Sequence, residues 1–89
     1  MIFTLFTPHR QYAPIECDSV RINIADSVSG KFSGSYGIRK GHAKAVFSLS
    51  EGIISASLKG QEIFSAECES GFATVADDEV RVTVDGIKE

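Results

Sequence analysis

The sequence lacks tryptophan and contains only two cysteines and two prolines among its 89 residues. Cys17 and Cys68 are far apart, so neither a disulfide framework nor a zinc site is predicted, and we interpret both as free thiols. No apolar run approaches the roughly 20 residues that a membrane-spanning helix needs. The apolar start, Met1–Phe6, has no basic segment and is shorter than a signal peptide's core. We therefore expect a cytoplasmic protein.

Charge is modest overall but unevenly distributed along the chain. The net charge is -3 and the pI is about 5.3, which argues against a broad nucleic-acid surface. Residues 31–44 carry four basic side chains and no acidic one, whereas residues 62–79 carry six acidic side chains and no basic one. The basic stretch is either a solvated edge or a contact for an acidic partner or anionic lipid.

Alternation of apolar and polar residues with a period of two is the main structural signal. It is clear in Val20–Ile24 and again in Val80–Val84, and successive strand side chains point to opposite faces of a sheet. Two such strands need a second layer to cover their apolar faces. The sequence therefore predicts an all-β, antiparallel β-sandwich forming one domain over residues 1–89, with tight hairpin turns at Lys59-Gly60 and Asp77-Asp78.

One segment is ambiguous by periodicity alone. Gly41–Leu49 fits either a single helical turn or a strand whose Ala45, Phe47 and Leu49 point inward. Phe72, which follows Gly71, is predicted to pack in the core.

Signals for catalysis or ligand binding are weak. The serines, cysteines and histidines show no local arrangement of nucleophile, base and orienting group, so we predict that the chain is not an enzyme. Asp77-Asp78-Glu79 offers oxygen ligands for a hard cation, but three acids at a hairpin turn are typical of a solvated surface, and no metal is predicted. Gly30–Gly34 lacks the Gly-Lys-Ser/Thr ending of a phosphate loop and is predicted to be an exposed loop. No cofactor is expected.

The run Gly34–Ala43 reads GSYGIRKGHA and resembles the signature of ATP synthase ε subunits, which contains Gly-Ile and, after two residues, Gly-His-Ala. Thr7-Pro8, Val20–Ile24, the Ser70–Phe72 step and Val80–Val84 follow in the family's order. The resemblance therefore covers nearly the whole chain and implies the N-terminal β-sandwich domain of an ε subunit.

The resemblance also implies a function and partners. It indicates a non-catalytic central-stalk (rotor) subunit of a proton- or sodium-translocating ATP synthase, which bridges the γ subunit and the polar loops of the c-ring. The implied location is peripheral, on the inner face of the cell membrane, with membrane association only through the complex. By motif position, the residues toward the c-ring are Gly34, Ser35 and Tyr36, and those toward the γ subunit are Gly41, His42 and Ala43.

Three features depart from the family pattern. Arg39-Lys40 replaces an apolar residue followed by proline, which makes the segment more basic and less rigid. Asp26–Ser33 lengthens the preceding loop. The sequence ends at Glu89, where most members continue into a C-terminal helical hairpin, so we expect no inhibition of ATP hydrolysis by insertion into the catalytic head.

Two aromatic residues of the signature have more than one possible role. For His42 we favour a structural role, in which the ring bonds a nearby carbonyl, over a direct contact with the partner. Tyr36 suits an interface and a sandwich rim equally. The alternative to a rotor subunit is a free-standing β-sandwich adaptor or ligand-binding module, because a fold does not fix a function.

Overall fold

The computed structural model describes residues 1–26 and 28–88; Ser27 of the predicted longer loop and Glu89 of the predicted domain lie outside these ranges. The described residues form ten β-strands and no helix. The strands are β1 (Ile2–Thr7), β2 (Arg10–Gln11), β3 (Ile15–Glu16), β4 (Ser19–Ala25), β5 (Phe32–Arg39), β6 (Ala45–Leu49), β7 (Gly52–Leu58), β8 (Gln61–Cys68), β9 (Gly71–Ala76) and β10 (Glu79–Val84).

All the strands belong to one curled sheet that folds over into two layers. The strand order is β2-β1-β10-β9-β6-β4-β7-β8, with β3 beside β1 and β5 beside β4. Strand β4 joins the layers, because its first residues pair with β7 and Ile24 pairs with Leu49 on β6. The predicted all-β sandwich is confirmed. The pairing is antiparallel throughout except between β1 and β10, which run parallel.

The core lies between the two layers and is built from the inward faces of the alternating strands. Val20, Ile22 and Val80 are completely buried. Strands from opposite ends of the sheet also meet, since the rings of Phe3 on β1, the second strand in the order, and Phe64 on β8, the last, are 5.5 Å apart between centroids. This contact closes the curled sheet around a single core.

Both predicted hairpin turns are confirmed. Lys59 and Gly60 have φ values of 53° and 78°, and Asp77 and Asp78 have 52° and 60°. In each turn the flanking residues pair directly, Leu58 with Gln61 and Ala76 with Glu79. Positive φ at both central residues is the mark of a type I′ turn, whose twist matches that of the strands it joins.

The structure corrects two predictions and resolves the ambiguous one. The predicted Gly30–Gly34 loop ends early, because β5 already begins at Phe32 and pairs with β4. Phe72 is 49% exposed, so its predicted core position is wrong; its neighbours on β9, Ala73 and Val75, take the inward positions instead. The ambiguous segment forms strand β6 over Ala45–Leu49, with Leu49 buried.

Gly71 is the glycine at which the backbone of another strand approaches most closely. A Cβ atom at this position would collide with the Thr83 carbonyl oxygen and lie 2.7 Å from the Val84 Cα. We expect Gly71→Ala to lower the free energy of unfolding by about 2 kcal/mol, because backbone atoms cannot move aside cheaply. Urea denaturation measures this. The control is Gly37→Ala, whose added Cβ would meet no atom within 4 Å; equal stability of the two variants would contradict the packing argument.

Candidate functional site: an aromatic rim

The segment that resembles the ε signature divides between a strand and a turn. Gly34 to Arg39 lie on β5, which pairs only with β4 among the described strands. Tyr36 lies opposite Ile22, whose side chain is buried, so Tyr36 is on the core side of the sheet. Ser35 lies opposite Asn23 and therefore faces outward. The two neighbouring residues of the predicted ring-facing set thus point to opposite faces.

Three aromatic side chains, Tyr36, His42 and Phe47, meet where β5 and β6 approach each other, and we call this group the aromatic rim. The Tyr36 and Phe47 ring centroids are 5.1 Å apart, and those of His42 and Phe47 are 6.1 Å apart. The Tyr36 hydroxyl oxygen lies 2.7 Å from His42 Nε2. Tyr36 is 39% exposed, so the rim covers the core and also faces solvent.

The hydrogen bonds of His42 fix its tautomer. Its Nδ1 lies 2.7 Å from the Ala43 carbonyl oxygen, which can only accept, so Nδ1 carries the proton. In the neutral ring Nε2 then accepts the bond that the Tyr36 hydroxyl donates. His42 therefore holds the turn to the strand, in agreement with the structural role that we favoured for it.

The turn after β5 is held by backbone bonds at each of its residues. The His42 N–H donates to the Arg39 carbonyl at 3.1 Å, and Gly41 has a φ of 84°, as the third residue of a type II turn requires. The Lys40 N–H donates to the Asp18 carbonyl at 3.2 Å, a bond that proline could not donate. Lys40 thus replaces the stiffness of the expected proline with a hydrogen bond to Asp18, the residue that precedes β4.

Asp78 ties this turn to the hairpin between β9 and β10. One carboxylate oxygen accepts from the Gly41 N–H at 3.4 Å, and the other pairs with the N-terminal ammonium of Met1 at 3.3 Å. Desolvation raises the pKa of the Asp78 carboxyl, but these hydrogen bonds and the positive charges of the ammonium and Lys40 outweigh it, so the pKa lies below its ordinary value. The carboxylate form is therefore the one that holds the turn.

The acidic run at residues 77–79 is used for separate contacts. Asp78 makes the contacts described above, and Glu79 pairs with Arg81 at 2.6 Å. Within residues 1–26 and 28–88 no three His, Cys, Asp or Glu side chains are grouped closely enough to hold a metal.

The charge separation seen along the sequence does not persist in space. Lys31 precedes β5, whereas Arg39 ends this strand and Lys40 follows it, close enough to Asp78 to lower the pKa of that carboxyl. Lys31 and the Arg39-Lys40 pair therefore lie at opposite ends of β5, and the basic stretch of the sequence is not one basic surface.

Both cysteines are buried and unpaired with each other, so they are free thiols as predicted. Desolvation raises the pKa of Cys68 to about 11 and also raises the pKa of Cys17. Since the thiolate is the reactive form, neither side chain is suited to nucleophilic chemistry at neutral pH.

The structure brings the two predicted residue sets together instead of separating them. Tyr36 of the ring-facing set bonds directly to His42 of the γ-facing set. Phe47, the third member of the rim, was not predicted as a site residue. The alternation of Ala45, Phe47 and Leu49 indicated that the Phe47 side chain points inward. It did not indicate that Phe47 would lie at the edge of the core.

These features define a small β-sandwich with an aromatic rim and a hydrogen-bonded turn at one edge. Residues 3–89 match the family described as ATP synthase, Delta/Epsilon chain, beta-sandwich domain. The chain belongs to this family, which confirms the resemblance read from residues 34–43.

Solved structures share the fold. A chain from the cryo-EM structure of the Tetrahymena thermophila mitochondrial ATP synthase central stalk and c-ring has a TM-score of 0.72 and 16% identity. A chain from the Euglena gracilis mitochondrial ATP synthase, solved by cryo-EM as OSCP/F1/c-ring in rotational state 1, has a TM-score of 0.71 and 23% identity. Both alignments cover 99% of this chain but only 65% and 52% of the respective relatives. No curated protein sequence matches the chain significantly.

Replacement of Asp78 by asparagine changes the pH dependence of stability. The lowered pKa means that the carboxylate stabilises the fold above the ordinary aspartate pKa, and that this stabilisation is lost as the pH falls through the folded-state value. We expect Asp78→Asn to be less stable than the parent at pH 7 and the difference to shrink as the pH falls below the ordinary aspartate pKa, as measured by thermal unfolding. Asparagine tolerates the positive φ of this position. Asp77→Asn is the control, and a pH-independent difference for Asp78→Asn would contradict the ionic role.

Removal of the Tyr36 hydroxyl isolates the hydrogen bond within the rim. We expect Tyr36→Phe to cost about 1 kcal/mol in unfolding free energy, because His42 Nε2 loses its donor while the ring packing remains. Tyr12→Phe is a matched control, since the Tyr12 hydroxyl makes no hydrogen bond to the described residues. Urea denaturation of both variants decides the point: equal, negligible losses would show that the Tyr36–His42 bond contributes nothing.

Proposed function

We propose that this domain is a non-catalytic rotor subunit of the central stalk of a proton- or sodium-translocating ATP synthase, where it bridges the γ subunit and the c-ring. The observation that carries the proposal is the family match over residues 3–89. Both similar structures are of ATP synthase assemblies that include the c-ring, and one of these assemblies also comprises the central stalk. The role is mechanical coupling, with residues 1–89 acting as one domain.

The proposed contacts adjoin each other at the aromatic rim. Gly34, Ser35 and Tyr36 on β5 are assigned to the c-ring contact, and Gly41, His42 and Ala43 in the following turn are assigned to the γ contact, with the Tyr36–His42 bond linking the two sets. Support comes from the geometry of the turn: Gly41 and His42 are held by bonds to two other segments, so this surface is shaped before a partner binds. A preformed surface loses less conformational entropy on association.

A second surface also supports binding to a protein partner. The outer face of the layer formed by β1, β10, β9 and β6 carries exposed apolar side chains, including Val46, which is 74% exposed, and Phe72. Thr74 pairs with both Val46 and Arg81, and Phe72 pairs with Ser48 and Thr83 on the same face. Exposed apolar side chains with polar neighbours are typical of protein–protein contacts.

The proposed location is cytoplasmic and peripheral, at the inner face of the cell membrane through the complex alone. In the described ranges of the chain, no helix has the length and hydrophobicity needed to cross a bilayer.

Co-purification with the γ subunit of the same organism tests the function. We expect a stoichiometric complex in size-exclusion chromatography, and we expect His42→Ala to weaken it by about tenfold because the turn loses its anchor. His9→Ala is the matched control, since His9 is exposed in the turn between β1 and β2. Independent elution of both folded proteins would instead favour a free-standing adaptor or ligand-binding module.

A further inference from the structure

A group of basic side chains lies on the outer face of the layer that contains β5, β4 and β7. Ser19 on β4 pairs with Arg39 on one side and with Ser57 on the other, so these three residues form a row across three strands. Ile38, which precedes Arg39, is completely buried, so Arg39 points outward. The row therefore presents one guanidinium beside two small hydroxyl side chains.

Arg21 lies in the next row of the same face. It pairs with Gly37 on β5 and with Ser55 on β7, and neither neighbour has a side chain large enough to cover it. Arg21 is thus the diagonal neighbour of Arg39, within reach of the same bound group. Lys40 follows Arg39 in the turn, and we call Arg21, Arg39 and Lys40, together with Ser19 and Ser57, the basic shelf.

The surface of the basic shelf is concave. A shallow depression of about 470 Å³ is lined by Asp18, Ser19, Arg39, Lys40, Ser57 and Gly60. Ser19, Ser57 and Gly60 are small, so the depression has room for a ligand group beside Arg39 and Lys40. Arginine's planar fork of donors suits carboxylates, and serine hydroxyls supply further donors.

The cations of the basic shelf have no ion-pair partner among the described residues. Ion pairs do form elsewhere, between Arg81 and Glu79 and between Lys88 and Glu51. The nearby acids are Asp18, Glu62 and Asp78.

Asp18 lines the depression itself, whereas Glu62 and Asp78 lie outside its lining. One oxygen of Asp18 accepts from the Lys59 N–H at 2.9 Å, and Glu62 lies beyond Ser57 at the neighbouring strand. Asp78 is engaged by Met1 and Gly41. The shelf therefore keeps positive charge available, although the acids around it would repel a long polyanion such as nucleic acid.

We propose that the basic shelf binds a short acidic segment of the γ subunit. The proposal rests on the proposed function and deepens it, because Lys40 adjoins Gly41 and the shelf thus continues the surface assigned to γ. Carboxylates of the segment enter the depression and receive hydrogen bonds from Arg39 and the serine hydroxyls. Recognition is electrostatic at this end of the domain and apolar on the face that carries Val46.

The test measures the affinity of the domain for the isolated γ subunit by isothermal titration calorimetry. Parent domain, Arg39→Glu and Lys31→Glu are compared at low and high salt. Both variants change the net charge equally, but Lys31 lies at the opposite end of β5. We expect Arg39→Glu to weaken binding by about tenfold or more at low salt, Lys31→Glu to leave it unchanged, and the difference to shrink at high salt.

Circular dichroism checks that both exposed substitutions leave the sandwich folded, and Arg39→Lys, which keeps the charge but loses the planar fork, should bind γ more tightly than Arg39→Glu. Tight γ binding that is indifferent to Arg39→Glu and to salt would overturn this inference and leave the rotor function standing. Equal weakening by Lys31→Glu and Arg39→Glu would also overturn it, since only net charge would then matter. No γ binding by the parent domain would reject the rotor function and this inference together.

Discussion

The pairing of β4 with three other strands is the interaction on which the rest of the structure depends. Its first residues pair with β7, Ile24 pairs with Leu49 on β6, and its other edge pairs with β5. Because one strand belongs to both layers, the layers cannot slide past each other without breaking its hydrogen bonds. Val20 and Ile22, which are completely buried, secure the same strand to the core. The position of β5, and with it every residue of the signature segment, follows from this strand.

One end of the sandwich is further fixed by two aspartates that satisfy backbone groups of neighbouring turns. Asp18 accepts the Lys59 N–H through its carboxylate and the Lys40 N–H through its carbonyl, and Asp78 accepts the Gly41 N–H. Three turns are thereby joined without any of them entering the core. In the proposed rotor role, the domain would have to resist shear at the surface where a partner binds. Cross-bonded turns provide such resistance, because each turn can move only if its neighbours move with it.

The sequence alone was sufficient for the fold because the alternating strands, the two positive-φ hairpins and the sandwich all follow from local rules. It was insufficient where the same local pattern fits two environments. Residues 32–34 read as a glycine-containing loop, yet they extend β5, since pairing with β4 outweighs the low strand propensity of glycine and serine. Phe72 reads as a core residue, yet Ala73 and Val75 set the inward phase of β9. The rim was half predictable: the motif identified Tyr36 and His42, but only the meeting of β5 and β6 reveals Phe47 as their partner.

Comparison of this chain with its structural relatives distinguishes the residues that the fold requires from those available for partner recognition. The fold persists at 16% and 23% identity, which means that many sequences satisfy the inward pattern of the strands. Exposed residues are under no such constraint from packing. Arg39 and Lys40 illustrate this freedom: their backbone positions are fixed by the pairing of Ser19 and by the bond to Asp18, whereas their side chains point to solvent. Partner specificity in such a domain therefore depends on exposed side chains at fixed backbone positions. The polarity of these side chains can change while the sandwich that carries them stays the same.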